Sequence, residues 1–162
     1  MASTGAMLLL LSSLSLQAMA LQERAFLAGR QRQRGWDDQL MSAAQGFTGQ
    51  LQRHHRCLLG VPAEQWAAAQ SEPSACGSDG AATLPIPAAG VRLVAYCPEL
   101  SEPPRAALVL ELTEVAQSQR AAYQLALAAG ETALAPLRVA GLQERGRLRG
   151  VTLPAPCPQE AP

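Results

Sequence analysis

The side chains able to do chemistry are few and lie apart in the chain. Four cysteines stand at Cys57, Cys76, Cys97 and Cys157, and the two histidines, His54 and His55, precede the first of them. A His-His-x-Cys cluster raises the question of a metal. No CxxC or HxxxH pair accompanies it, and a zinc site needs four convergent ligands, so no metal is expected. A Cys/His nucleophilic pair needs a reduced thiol and a third, orienting group, and no such group is apparent. The carboxylates are scattered, with no spaced acid/base pair, and there is no glycine-rich phosphate loop. Arg30, Arg32 and Arg34 alternate in RQRQR and suit a solvated face beside a membrane, or contact with anionic headgroups. The expectation is a protein that is not an enzyme, with no cofactor.

An even cysteine count in a chain that leaves the cytoplasm favours two disulfides. Sequence allows three connectivities. The arrangement expected is Cys57–Cys76, pinning a helix end to a loop, with Cys97–Cys157, tying the C-terminal tail to a strand.

Composition narrows the classes further. The 162 residues carry 13 basic and 13 acidic side chains, every basic one an arginine, for a formal net charge of zero. Dedicated nucleic-acid binders carry a basic excess, so no nucleic-acid partner is expected. Apolar residues make up 48% and charged residues 16%, enough to bury a core. Aromatics are only 4%, so that core must be built from Leu, Val and Ala.

The elements that position these residues begin with an uncharged stretch. Residues 6–21, AMLLLLSSLSLQAMAL, read as a membrane anchor in contact with lipid, and with the uncharged residues 1–5 the anchor and leader cover 1–21, long enough to span a bilayer. Three readings compete: an uncleaved anchor, a secretory signal cut between Ala20 and Leu21, and a buried helix of a cytosolic protein. From residue 22 to about 59 the pattern is an amphipathic helix. Trp36, Leu40, Ala44, Phe47, Leu51, His54 and Leu58 form its apolar stripe, which places His54 in the core as a hydrogen-bonded imidazole. Gly29, Gly35, Gly46 and Gly49 would mark a bend or the close approach of another helix. Gly60 and Pro62 signal its end.

Residues 60–90 read as a loop region with one short helical turn around 63–70. Beyond it, 91–162 reads as a small antiparallel sheet with a C-terminal tail. Strand-like runs fall at 90–96, 106–115, 121–129, 134–140 and 147–153, separated by PELSEPP, QSQR, AGET and GLQERG. The Ala-rich run 121–129 is also compatible with a helix by propensity. The fold class is α+β: a long N-terminal helix, half membrane-embedded and half amphipathic, packed on a small antiparallel sheet.

The segment LSLQAMALQERAF, residues 14–26, resembles the end of the apolar stretch in prepilin-like minor pilins. The wider layout is similar to that of type IV pilins and type II secretion pseudopilins. The resemblance implies an apolar half-helix that anchors the subunit and then packs in a filament core, an amphipathic half that packs on the sheet, and often a disulfide near the C-terminus. It implies other pilin or pseudopilin subunits and an inner-membrane assembly platform as partners. The protein would then sit in a bacterial inner membrane, with its C-terminal domain in the periplasm or outside the cell. Two features depart from the family. The leader's terminal Gly has one candidate, Gly5, with the mature chain starting at Ala6, unless the true leader lies upstream of Met1. The fifth mature position would be Leu10, where major pilins carry Glu, which points to a minor component. The alternatives are a secreted disulfide-bonded binding domain released after Ala20, and a single-pass envelope protein that assembles into nothing.

Overall fold

A computed structural model describes the backbone of residues 2–71, 84–113, 119–132, 135–148 and Cys157, with side chains for 17–70, 84–113, 119–130, 137–148 and Cys157. The first helix, α1, covers Ala2–His54. The chain divides within it into two compact units, Met1–Asp38 and Gln39–Pro162.

In the first unit every side chain from Gln17 to Gly35 is exposed, and burial begins only at Trp36 and Asp37, which are half-buried. The helix runs through its glycines without closing on anything. A Cβ built at Gly29, Gly35 or Gly46 would meet no atom within 4 Å, so these positions accommodate no close approach within the chain.

The second unit holds the core, and the outcome is α+β. From Leu40 onward α1 buries Leu40, Ala43, Ala44, Phe47, Thr48 and Leu51, a face with the three- and four-residue spacing of an amphipathic helix. The stripe departs from expectation at its end: His54 is exposed, and its neighbour His55 is buried at 5% exposure. The cause is the helix terminus. The α-helix stops at His54, short of the expected 59, and the chain tightens into a 3-10 segment, Arg56–Gly60. His55 takes a non-helical conformation (φ −138°, ψ 40°) that breaks the 100° step between residues. Arg56 donates from Nε back to the Gln52 carbonyl at 2.6 Å, satisfying one of the open carbonyls of the last turn.

A 3-10 turn at Ala63–Gln65 and the short helix α2, Trp66–Ser71, occupy the place expected for a helical turn. Trp66 is buried and donates from Nε1 to the Val61 carbonyl at 2.8 Å. Its ring bridges Phe47 on α1 (centroids 6.1 Å apart) and Tyr96 on the first strand (5.3 Å). Three of the few aromatics thus link helix to sheet, where each ring brings large buried area at low conformational cost.

Among the described residues the sheet has four strands in sequential antiparallel order: β1 Val91–Glu99, β2 Arg105–Leu112, β3 Gln119–Thr132 and β4 Ala135–Leu148. Short connections favour such a meander. The run 121–129 is strand, not helix, because its alternation places Ala121, Tyr123, Leu125 and Leu127 on the core face beside Ala106, Leu108, Leu110 and Leu112. Burial of that face outweighs alanine's helix propensity. The expected turn GLQERG is overturned: residues 141–146 lie inside β4, which merges two of the expected strands into one. The break signal there is a bulge. Register shifts between Ala122 and Tyr123, opposite Gly146 and Glu144, and leaves Arg145 as the extra residue. Gly146 supplies the φ of +117° that the bulge requires. The expected strand residues 114–115 and 149–153 lie outside the described residues.

Candidate functional site

The cysteines and histidines come first. Cys97, on β1, is disulfide-bonded to Cys157 with their Cα atoms 5.3 Å apart, as expected. The Cys157 sulfur lies 3.4 Å from the Tyr96 carbonyl oxygen. Cys157 is thereby fixed to β1, which among the described residues is a sheet-edge strand. Cys57 is also disulfide-bonded, and its expected partner, Cys76, lies outside the described residues. With these sulfurs oxidised, neither a thiolate nucleophile nor a thiolate ligand is present at Cys57 or Cys97. Among the described residues no group of three or more His, Cys, Asp or Glu is placed to hold a metal.

The two histidines have separated roles. Burial, and then the nearby His54, push the His55 pKa below its ordinary value, so His55 is neutral near pH 7. The exposed His54 lines an open groove of about 380 Å³ with Ala43, Gly46, Gln50 and Arg53 of α1 and with Ile86 and Ala88. Its polar lining is Gln50, Arg53 and His54, and the groove is too open to enclose a small substrate.

On the sheet face turned away from the core, Glu111 of β2 stands in register between Arg92 of β1 and Arg120 of β3. Its carboxylate pairs with both guanidinium groups, the Arg120 Nε lying 3.2 Å from Oε1. Glu111 is only 5% exposed, so this charge is held by its partners and not by water. No sequence motif singles out these three residues, since the 9- and 19-residue separations in the chain become adjacency only through strand register. An exposed pair, Glu99 with Arg105, closes the β1–β2 connection, and hydrogen bonding from Arg105 lowers the Glu99 pKa.

Among the described residues, four large apolar side chains on the first unit are exposed. Met19, Leu21, Phe26 and Leu27 are each between 57% and 67% exposed. Met19 and Phe26 share a face, while Leu27 is turned from Met19 by about 80° and Leu21 by about 200° at 100° per residue. The apolar groups therefore surround the helix and do not form one stripe. Arg30 packs its guanidinium over the Phe26 ring, 4.3 Å from the centroid. Arg30, Arg32 and Arg34 are all exposed.

The anchor expected over 6–21 lies mostly outside the residues with described side chains. No helix among the described residues is long and apolar enough to cross a membrane. The leader candidates Gly5 and Ala6 fall within the backbone of α1, and the alternative cut between Ala20 and Leu21 falls at exposed residues of the same helix. Comparison with family models, curated proteins and solved structures found no match.

Proposed function

We propose that this chain is a structural subunit of a filament of the type IV pilus or type II secretion pseudopilus kind, a minor component that primes or caps it. The observation that carries the reading is the first unit of α1. A helix with Met19, Leu21, Phe26 and Leu27 exposed on different sides is stable in an assembly only when neighbours surround it. Docking on a single surface would leave at least one of these groups in water. The preceding run, Met7–Leu16, is uncharged and leucine-rich, and belongs in lipid before assembly and among other helices after it. The second unit would project from the filament as a small disulfide-closed domain. Head-to-tail contacts between such subunits do not close, and they build an open filament. In this reading the partners are other pilin or pseudopilin subunits and an inner-membrane platform, and the protein waits in the inner membrane before assembly.

The test is the intact mass and N-terminal residue of the mature protein from its native host. A start at Ala6, or at a Gly-preceded residue upstream of Met1, with Met7–Leu16 retained supports the filament reading. A start at Leu21 overturns it in favour of a secreted disulfide-bonded binding domain.

A further inference from the structure

We propose that the groove between α1 and the segment 84–88 docks an extended acidic segment of a protein partner that is not a copy of this chain. The inference goes beyond the filament reading, because the groove lies within the second unit and does not involve Met7–Leu16. Its first support is two glycines that packing within the chain does not explain. Gly46 and Gly49 stand mid-helix, where glycine is a costly choice beside alanine. Neither makes a turn. A Cβ at Gly46 would meet nothing within 4 Å, so this glycine leaves open space at the groove's apolar end, beside Ala43 and Phe47. A close approach there has to come from outside the chain.

The opposite wall is held by prolines. In Leu84-Pro85-Ile86-Pro87-Ala88, Pro85 is buried and Pro87 half-buried, while Leu84, Ile86 and Ala88 are exposed. Proline fixes φ near −65°, so this wall is set before a partner arrives. Ile86 lines the groove and is still 70% exposed. The other end is cationic: Arg53 and His54 line it, and no carboxylate does. Among the described residues Arg53 makes no ion pair. Its guanidinium folds back to 3.6 Å from the place of a Gly49 Cβ, and Gly49 lies about 4.5 Å along the axis from Gly46. In an extended chain, residues two apart share a side at about 6.7 Å. An aliphatic side chain set over Gly46, with a carboxylate two residues on, therefore reaches the guanidinium. Charge complementarity selects the acid, and the openness of the groove selects a chain segment over a small molecule. The chain's own Leu100 and Glu102 are exposed, but the backbone bends at 101–103, so a second copy does not offer them in extended form.

The test titrates the full chain, in zwitterionic detergent, with the capped peptide acetyl-Ala-Leu-Ala-Glu-Ala-amide and follows backbone amide NMR shifts. Shifts are expected at Gly46, Gln50, Arg53, Ile86 and Ala88. The same peptide with glutamine or arginine in place of glutamate should bind about tenfold more weakly or worse. Gly46→Leu fills the apolar end without a clash, so it should weaken binding by about tenfold or more and leave the urea midpoint no lower. Arg53→Gln should erase the preference for glutamate over glutamine. Shifts elsewhere or none, equal affinity for the glutamate and arginine peptides, or unchanged binding in Gly46→Leu would each overturn the proposal. Self-association of the chain that Gly46→Leu abolishes would seat a second copy in the groove. Shifts at the same residues on adding an anionic lipid alone would seat a lipid there. Either result also overturns the acidic protein partner.

Discussion

The Tyr96 hydroxyl donates to the Leu59 carbonyl at 2.8 Å, and it is the bond that joins β1 to the chain leaving α1. Tyr96 is fully buried, and burial pushes its pKa well above the usual phenol range, so the hydroxyl keeps its proton. Leu59 sits in the 3-10 segment Arg56–Gly60, which packs against β4 and β1. A second bond acts alongside it: the Val139 backbone N–H donates to the Gln52 side-chain oxygen at 2.6 Å, which ties β4 to α1.

Replacing Tyr96 with Phe keeps the ring against Trp66 and removes the donor. The Leu59 carbonyl is then left without that partner in a dry site, at a cost of about 1–3 kcal/mol. Urea unfolding of the full chain should show a lower midpoint at an unchanged slope. An unchanged midpoint would mean that Leu59 finds water or another donor, and that the junction does not depend on this bond.

Much of the fold is legible in the amino-acid sequence because periodicity reports burial. The alternation of Leu108, Leu110 and Leu112, and of Tyr123, Leu125 and Leu127, is strand-like on its face, and the sheet obeys it. The pairing of Cys97 with Cys157 follows from the same layout. Two break signals mislead. Gly141 and Gly146 flank LQER like the ends of a turn, yet Gly146 serves a bulge, because a glycine-rich break and a bulge demand the same positive φ. His54 matches the helical stripe, but the helix ends at His54 itself, and the 3-10 segment that begins at Arg56 does not keep the α period. The Arg92–Glu111–Arg120 cluster is out of reach for a different reason: no local pattern announces which strands will be neighbours.

That cluster predicts unequal effects of its members. The Arg92 side chain is 62% exposed, whereas Arg120 and Glu111 are 13% and 7% exposed. Water can replace Arg92, so Arg92→Ala should cost less than about 1 kcal/mol. Glu111→Ala leaves the Arg120 guanidinium largely out of water without its carboxylate, at a cost of about 3–5 kcal/mol. A double substitution of Glu111 and Arg120 by apolar residues should recover most of that loss. Unfolding midpoints of the three variants decide the matter, and equal losses for Arg92→Ala and Glu111→Ala would refute the asymmetry.

Acid should loosen the end of α1 before it affects the sheet. His55 has a lowered pKa in the folded protein, caused first by burial and then by His54. In the unfolded chain it titrates near the ordinary value of about 6.5. Above that pH both states leave it neutral and it contributes no pH dependence. Below it the unfolded state takes up a proton that the folded state resists, so stability falls with falling pH until the folded pKa is reached, and then levels off. His55→Gln removes the titration and should flatten the stability profile between about pH 6.5 and that lower limit, whatever it does to absolute stability. His54→Gln acts on an exposed group, and should change the profile only slightly by lifting its charge from His55. Urea midpoints measured across that range for the full chain and both variants provide the check. A slope in His55→Gln equal to that of the unsubstituted chain would assign the acid sensitivity to other groups.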